Sequence, residues 1–141
     1  MGYRSDVRII TSKKGFKELR KFTDNYLEEK NWKYGNLLDD CEVISENKCS
    51  KYIGWDSIKW YDYIDGFEDV SAIMEGLKHL EKKDMSYRYA RIGESYDDYE
   101  EFSYESDNEE EQDFEYPSMT RYFDDDWVKD KMEKSMEEIQ L

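Results

Sequence analysis

The residues most readily suited to covalent or zinc chemistry in this chain are His79, the single histidine, and the two cysteines, Cys41 and Cys49. Nucleophilic catalysis needs a nucleophile, a base beside it and a third group that orients the base. His79 falls near the end of a helical stripe running from Val70 to Leu80. There the expectation is a surface residue near a helix C-terminus, where a cation is welcome. Cys41 lies in an alternating stretch and reads as a small core residue. Neither cysteine sits in a recognisable catalytic signature. Zinc asks for about four N or S ligands at suitable spacing, which this set does not supply. A calcium loop alternates oxygen ligands around a glycine and ends on a glutamate, whereas residues 97–108 crowd their acids and lack that glycine. The glycines form neither a phosphate-cradling loop nor a dinucleotide fingerprint. The expectation is a protein that is not an enzyme, with no catalytic residue, metal site or cofactor.

Charge is the chemistry the chain does carry. Residues 94–126 hold fifteen carboxylates against one basic residue, Arg121, which accounts for −14 of the formal net charge of −15. The remaining residues carry 21 acids and 20 bases and are nearly neutral. The acids are Glu94, Asp97, Asp98, Glu100, Glu101, Glu105, Asp107, Glu109, Glu110, Glu111, Asp113 and Glu115, then Asp124, Asp125 and Asp126. A block of like charge repels itself, so it is either used or disordered. Duplex DNA presents one negative charge per roughly 1.7 Å of its axis. Carboxylates displayed on a rigid frame compete for a Lys/Arg groove built to hold such a duplex. Tyr96, Tyr99, Phe102, Tyr104, Phe114 and Tyr116 are interleaved with the acids, which is odd for a pure solubility tail. They either anchor the segment to its own domain or fill a partner's pockets. The candidate binding residues are the fifteen acids, with Tyr99, Phe102 and Tyr104 as anchors. The alternative is a regulatory or scaffolding protein in which residues 94–116 are a solvated, partly disordered insertion that serves solubility.

The elements that must position these residues are legible from periodicity. Residues 3–10 alternate as a strand, with Tyr3, Val7 and Ile9 on one face and Arg4, Asp6 and Arg8 on the other. Thr11 and Ser12 offer an N-cap to a helix whose apolar residues are Phe16, Leu19, Phe22, Tyr26 and Leu27. Residues 41–46 and 52–63 read as a β-hairpin turning at Asn47-Lys48. The longer strand places Ile58 and Trp60 on one side, Lys59 and Tyr61 on the other. Val70, Ile73, Met74, Leu77 and Leu80 make an amphipathic helix that Asp84 ends. Residues 85–92 alternate again.

The order β-α-β-β-α-β predicts an α+β fold, a ferredoxin-like core with two helices on one face of an antiparallel sheet. Ser95 and Asp98 form a capping box for a short helix with Tyr96, Tyr99 and Phe102 along one side. Residues 114–123 add a C-terminal strand, held to an edge by Pro117. A last helix follows, with Val128, Met132, Met136 and Ile139 as its stripe. The whole, residues 1–141, reads as a single domain.

No apolar run resembles a secretory signal, Asp6 breaks the myristoylation pattern begun by Gly2, and two cysteines in a Cys-poor chain fit a reducing compartment. A split-βαβ sheet can read RNA with aromatics such as Tyr61, Tyr63, Tyr87 and Tyr89. The chain lacks the matching Lys/Arg-Gly-Phe run, and its acids repel phosphate and anionic lipid alike. Direct binding to nucleic acid or membrane is therefore not expected.

Three stretches carry a resemblance. They are Met1-Gly2-Tyr3-Arg4-Ser5-Asp6-Val7, Trp55 with Lys59-Trp60-Tyr61 and Asp69-Val70 to Ile73, and Arg91-Ile92-Gly93-Glu94 with Asp97-Asp98. Over roughly residues 1–100 the chain resembles a set of small uncharacterised phage and prophage proteins. The resemblance implies a phage or mobile-element origin and action in a bacterial host cytoplasm. By analogy of size, source and charge alone, small acidic phage proteins include anti-CRISPR and anti-restriction inhibitors, several of which act as DNA mimics. The expected partner is a basic nucleic-acid-binding protein, a host defence nuclease, inhibited by occupation of its groove.

Overall fold

In the computed structural model, residues 2–62, 64–107 and 123–140 are described, with the side chains of 135–140 excepted. The described residues form a mixed α+β fold with a five-stranded antiparallel sheet and three α-helices. The chain runs β1 (Ser5–Ser12), α1 (Lys13–Glu29), a 3-10 turn (Leu37–Asp39), β2 (Val43–Glu46), β3 (Ser50–Ile58), α2 (Glu68–Lys82), β4 (Tyr87–Gly93), β5 (Tyr99–Tyr104) and α3 (Asp125–Gln140). Across the sheet the order is β2-β3-β1-β4-β5.

Local signals account for most boundaries. Ser12 ends β1 and caps α1, its hydroxyl accepting the Gly15 amide at 2.8 Å, which satisfies one of the free donors of a helix start. Asn31, at φ 56°, closes α1 in the left-handed region that asparagine tolerates. Asp84 does the same for α2 at φ 55°. Asn47 turns the β2–β3 hairpin, its side-chain oxygen accepting the amides of Cys49 and Ser50 at 2.9 and 2.8 Å, the turn chemistry expected of asparagine.

Alternation sorts each strand between two faces. Val7, Ile9, Ile53, Trp55, Tyr87 and Tyr89 pack against Leu19 of α1 and against Val70, Ile73, Leu77 and Leu80 of α2. On the opposite face Ile10 and Tyr52 pack against Val128 and Met132 of α3. Leu19 and Val128 are both fully buried, and each such side chain contributes roughly 1.5–3 kcal/mol through the water it excludes. Tyr87 and Tyr89 therefore lie beneath helices at 5 % and 1 % exposure and do not form an open stacking platform. Tyr61 is half-buried, and Tyr63 lies outside the described residues.

Three expectations are corrected. The strand predicted over 52–63 stops at Ile58. Register shifts between Ser5 and Val7 in the β1–β3 pairing, and Ser57 takes φ 53° with its amide on Asp6 at 2.9 Å, which turns the chain out of the sheet. Trp60 is still buried, but not by strand alternation. The strand predicted from residue 41 begins at Val43, with Cys41 just before it.

The short helix predicted around Tyr96, Tyr99 and Phe102 is instead strand β5. Its pairing with β4 sets Phe102 beside Tyr89 and Glu100 beside Arg91. Cross-strand partners of that kind outweigh a three-residue spacing, and Tyr99 and Phe102 go to opposite faces. The added strand predicted over 114–123 falls outside the described residues, apart from Phe123. That ring packs against Ala90 and Ile92. Of the predicted α3 stripe, Val128 and Met132 are buried, and the side chains of Met136 and Ile139 are outside the description. Among the described residues no helix is long and apolar enough to cross a membrane.

Candidate functional site

The acids of residues 94–126 divide into those held by the fold and those left on its surface. The first group is set by two arginines on strands. Arg91 on β4 donates from Nε to Glu100 at 2.8 Å, and from Nη2 and Nη1 to Asp98 at 2.8 and 3.2 Å. Asp98 also accepts the Tyr3 hydroxyl at 2.5 Å, and Glu100 accepts that of Tyr89 at 3.1 Å. Hydrogen bonds from Arg91 and Tyr3 hold the Asp98 carboxyl below its usual range. Burial opposes the Arg91 charge, but the two carboxylates outweigh it and raise the guanidinium pKa. Burial, and then the Glu100 charge, raises the Tyr89 hydroxyl.

The β4–β5 turn makes this cluster possible. The Gly93 amide bonds the Asp98 carbonyl at 2.7 Å. A Cβ on Gly93 would overlap Asp98 Oδ2 and Tyr3 Oη, so only glycine lets that carboxylate lie against the strand.

The second arginine is Arg8, whose side chain is 3 % exposed. It donates to Asp125 at 2.9 and 3.0 Å and to Asp56 at 2.7 Å, with Nη1 on the carbonyls of Val7 and Trp55. Its guanidinium stacks over Phe123 at 4.7 Å. Gly54 clears the space, since a Cβ there would meet Val7 O at 2.6 Å and Arg8 Nη1 at 2.9 Å. Asp125 also accepts the Tyr52 hydroxyl at 2.5 Å. Burial pushes the Asp125 carboxyl up, but the hydrogen bonds from Arg8 and Tyr52 prevail and its pKa falls. The pair fastens the first turn of α3 to the sheet.

Asp98, Glu100 and Asp125 are therefore fold-holding acids. Glu105 is exposed and lies 3.9 Å from Arg88, and Asp124 caps α3 by accepting the Trp127 amide at 3.0 Å. Glu94, Asp97, Glu101, Asp107 and Asp126 are exposed. Glu109, Glu110, Glu111, Asp113 and Glu115 lie outside the described residues.

Of the expected anchors, Tyr99 is 62 % exposed. Phe102 is 49 % exposed while stacking on Tyr89 at 5.5 Å. Tyr104 turns inward and donates to Asp84 at 2.6 Å. Tyr96 and Trp127, at 80 % and 45 %, are further exposed rings beside exposed acids.

His79 departs from the surface role expected of it. It is half-buried between the helices, bonded to Glu18 at 2.8 Å and stacked on Phe22 at 4.8 Å. The hydrogen bond to His79 lowers the Glu18 carboxyl pKa. Cys41 and Cys49 are both free thiols. Burial pushes the Cys41 thiol up to about 11, the opposite of an activated thiolate.

Sequence reasoning missed Arg8 and Arg91 as organisers. For Arg91 the available signal was its place on the same strand face as Tyr87 and Tyr89, where a charge shielded from water has to find a carboxylate. It also missed that Tyr3, Trp60, Tyr61 and Asp62 meet Arg91, Asp98 and Glu100 around one cavity.

No protein-family model matches the chain, and neither a curated protein nor a solved structure matches it.

Proposed function

We propose that this protein is an acidic, phage-derived inhibitor. It seats on the basic groove of a nucleic-acid-handling protein in a bacterial host cytoplasm, a defence nuclease in the first place, and excludes the nucleic acid. The observation that carries this reading is the surface left after internal pairing. Exposed Glu94, Asp97, Glu101, Asp107 and Asp126 are interleaved along the chain with exposed Tyr96, Tyr99 and Trp127. Carboxylates speed encounter with a basic partner, and aromatic rings supply contact area that survives salt. The mechanism is competition for a groove, so no group of the chain reacts and no cofactor takes part.

The frame we assign is a ferredoxin-like core of β1-α1-β2-β3-α2-β4, with β5 and α3 added. It is supported by the antiparallel order β2-β3-β1-β4 and by α1 and α2 sharing one face. A second reading, a scaffolding protein whose acids serve only structure and solubility, is favoured by the Arg8 and Arg91 ion pairs.

The test compares the wild type with a variant carrying Glu94→Gln, Asp97→Asn, Glu101→Gln, Asp107→Asn and Asp126→Asn. Each is immobilised and exposed to bacterial lysate at low and high salt. The captured protein is then assayed for binding labelled duplex DNA. The wild type should displace the DNA and the neutralised variant should lose capture by at least tenfold, with most of the salt dependence gone. Equal capture by the variant, or a captured protein that binds DNA undisturbed, would overturn the inhibitor reading.

A further inference from the structure

We infer that the cavity between α2 and β5 receives the side chain of a lysine or arginine residue of the protein partner, an inference that rests on the binding role proposed above. The cavity is about 510 Å³. It continues into a second of about 460 Å³ that shares Met74, Lys78 and Phe102 with it. The groove lies where Met74 and Lys78 of α2 face Glu100 and Phe102 of β5.

Three observations select the occupant. The first is aromatic surface. Tyr3, Trp60, Tyr61 and Phe102 all line the cavity, and ring faces around a space of this size attract organic cations.

The second is charge. Asp62, Asp98 and Glu100 line the cavity against Lys78 and Arg91. Arg91 is already met by Asp98 and Glu100 together, leaving that trio one negative charge in excess. The Lys78 ammonium lies 3.4 Å from Glu75 on its own helix. The interior is therefore net anionic, with Asp62 as a further carboxylate.

The third is an unmet donor. Trp60 is 8 % exposed, and its indole N–H is buried with no hydrogen bond among the described residues. The Tyr89 hydroxyl, which donates to Glu100, is near enough to feel this N–H but is not in hydrogen-bonding geometry with it. The other indole donors of the core and of the turn after α1 are satisfied, Trp55 by Leu37 O at 3.0 Å and Trp32 by Gly35 O at 2.9 Å. A buried donor without a partner is rare and calls for an explanation. A ligand that answers all three bears a cation, an alkyl stem that packs on rings and a hydrogen-bond acceptor close by. A lysine or arginine residue within a polypeptide has each of these, the acceptor being its own carbonyl.

The Trp60 indole resonance reports the site directly, once assigned through Trp60→Phe. The wild-type protein is titrated with N-acetyl-arginine methylamide and N-acetyl-lysine methylamide. Uncharged N-acetyl-citrulline methylamide and carbonyl-free butylammonium serve as comparisons. The charged amides should move the resonance saturably, with a dissociation constant on the order of millimolar, as single-residue contacts allow. Citrulline should bind at least about tenfold more weakly, and butylammonium should leave the indole shift small. Phe102→Ala, a half-exposed position, and Glu100→Gln should each weaken the charged amides about fivefold.

An indole signal unmoved by either charged amide would overturn the assignment, as would equal binding of citrulline. Equal binding and an equal indole shift with butylammonium would overturn the polypeptide source. None of these outcomes bears on the charged surface, which the neutralised-variant capture decides on its own.

Discussion

Replacing Asp125 by Asn tests whether an ion pair holds α3 on the sheet. The change keeps the side chain's shape and removes one charge. Arg8 is 3 % exposed and donates twice to Asp125, which also takes the Tyr52 hydroxyl. Asp125 Oδ1 takes Arg8 Nε and the Tyr52 hydroxyl, and an asparagine oxygen can accept both, but its NH2 group then faces Arg8 Nη2 where Oδ2 had been. Breaking a buried pair costs about 3–5 kcal/mol. Two features lower that figure here. The Asp125 side chain is 25 % exposed, and Asp56 remains 2.7 Å from Arg8 as a second carboxylate. The expected loss is about 2 kcal/mol, a fall in Tm on the order of 5–10 °C for a chain of this length.

The pH dependence follows from the lowered Asp125 pKa. A depressed carboxyl stabilises the fold above its unfolded pKa of about 3.9 and loses that contribution as pH falls through the folded value. The amide of the Asp125→Asn variant has no such titration. The gap between wild type and variant should therefore be full at neutral pH and close below about pH 4. Urea titrations at a series of pH values measure it. Amide exchange shows whether α3 detaches alone or the whole chain loosens. A gap under about 0.5 kcal/mol at neutral pH, or one that persists unchanged in acid, would refute the tether.

Two further outcomes are expected. Gly93→Ala should cost about 1–3 kcal/mol and free the Asp98 carboxylate from Tyr3 and Arg91, seen as a rise in the Asp98 carboxyl pKa by NMR titration; an unchanged titration would show that the turn absorbs the methyl group. Iodoacetamide at neutral pH should alkylate exposed Cys49 well before Cys41, whose thiol is pushed up to about 11, with mass spectrometry giving the order; faster labelling of Cys41 would contradict its burial.

Much of the frame is legible in the sequence. The Val70 to Leu80 stripe, the Ser12 cap, the Asn47 turn and the alternation through Val7 and Ile9 each depend on residues close in sequence, where propensity and period act directly. The misreadings lie where a distant partner decides. Tyr96, Tyr99 and Phe102 suit a helix face if considered alone, but the outer edge of β4 offers Arg91 to Glu100 and Tyr89 to Phe102, and the segment becomes a strand. Trp60 looked like the next inward residue of β3, until the Ser57 turn took the chain out of the sheet and buried the ring by another route.

The acidic block shows the division most clearly. Its size and sign are properties of composition, which no fold can alter. The identity of the acids that remain available is not. Asp98, Glu100 and Asp125 face arginines that are 7, 9 and 117 residues away in the chain, whereas Glu94, Asp97 and Glu101 between and beside them face water. Charge on a side chain is written in the sequence. Whether that charge is spent within the molecule or offered outside it depends on which strands lie side by side, because an ion pair forms across a few ångströms of space and is blind to distance along the chain.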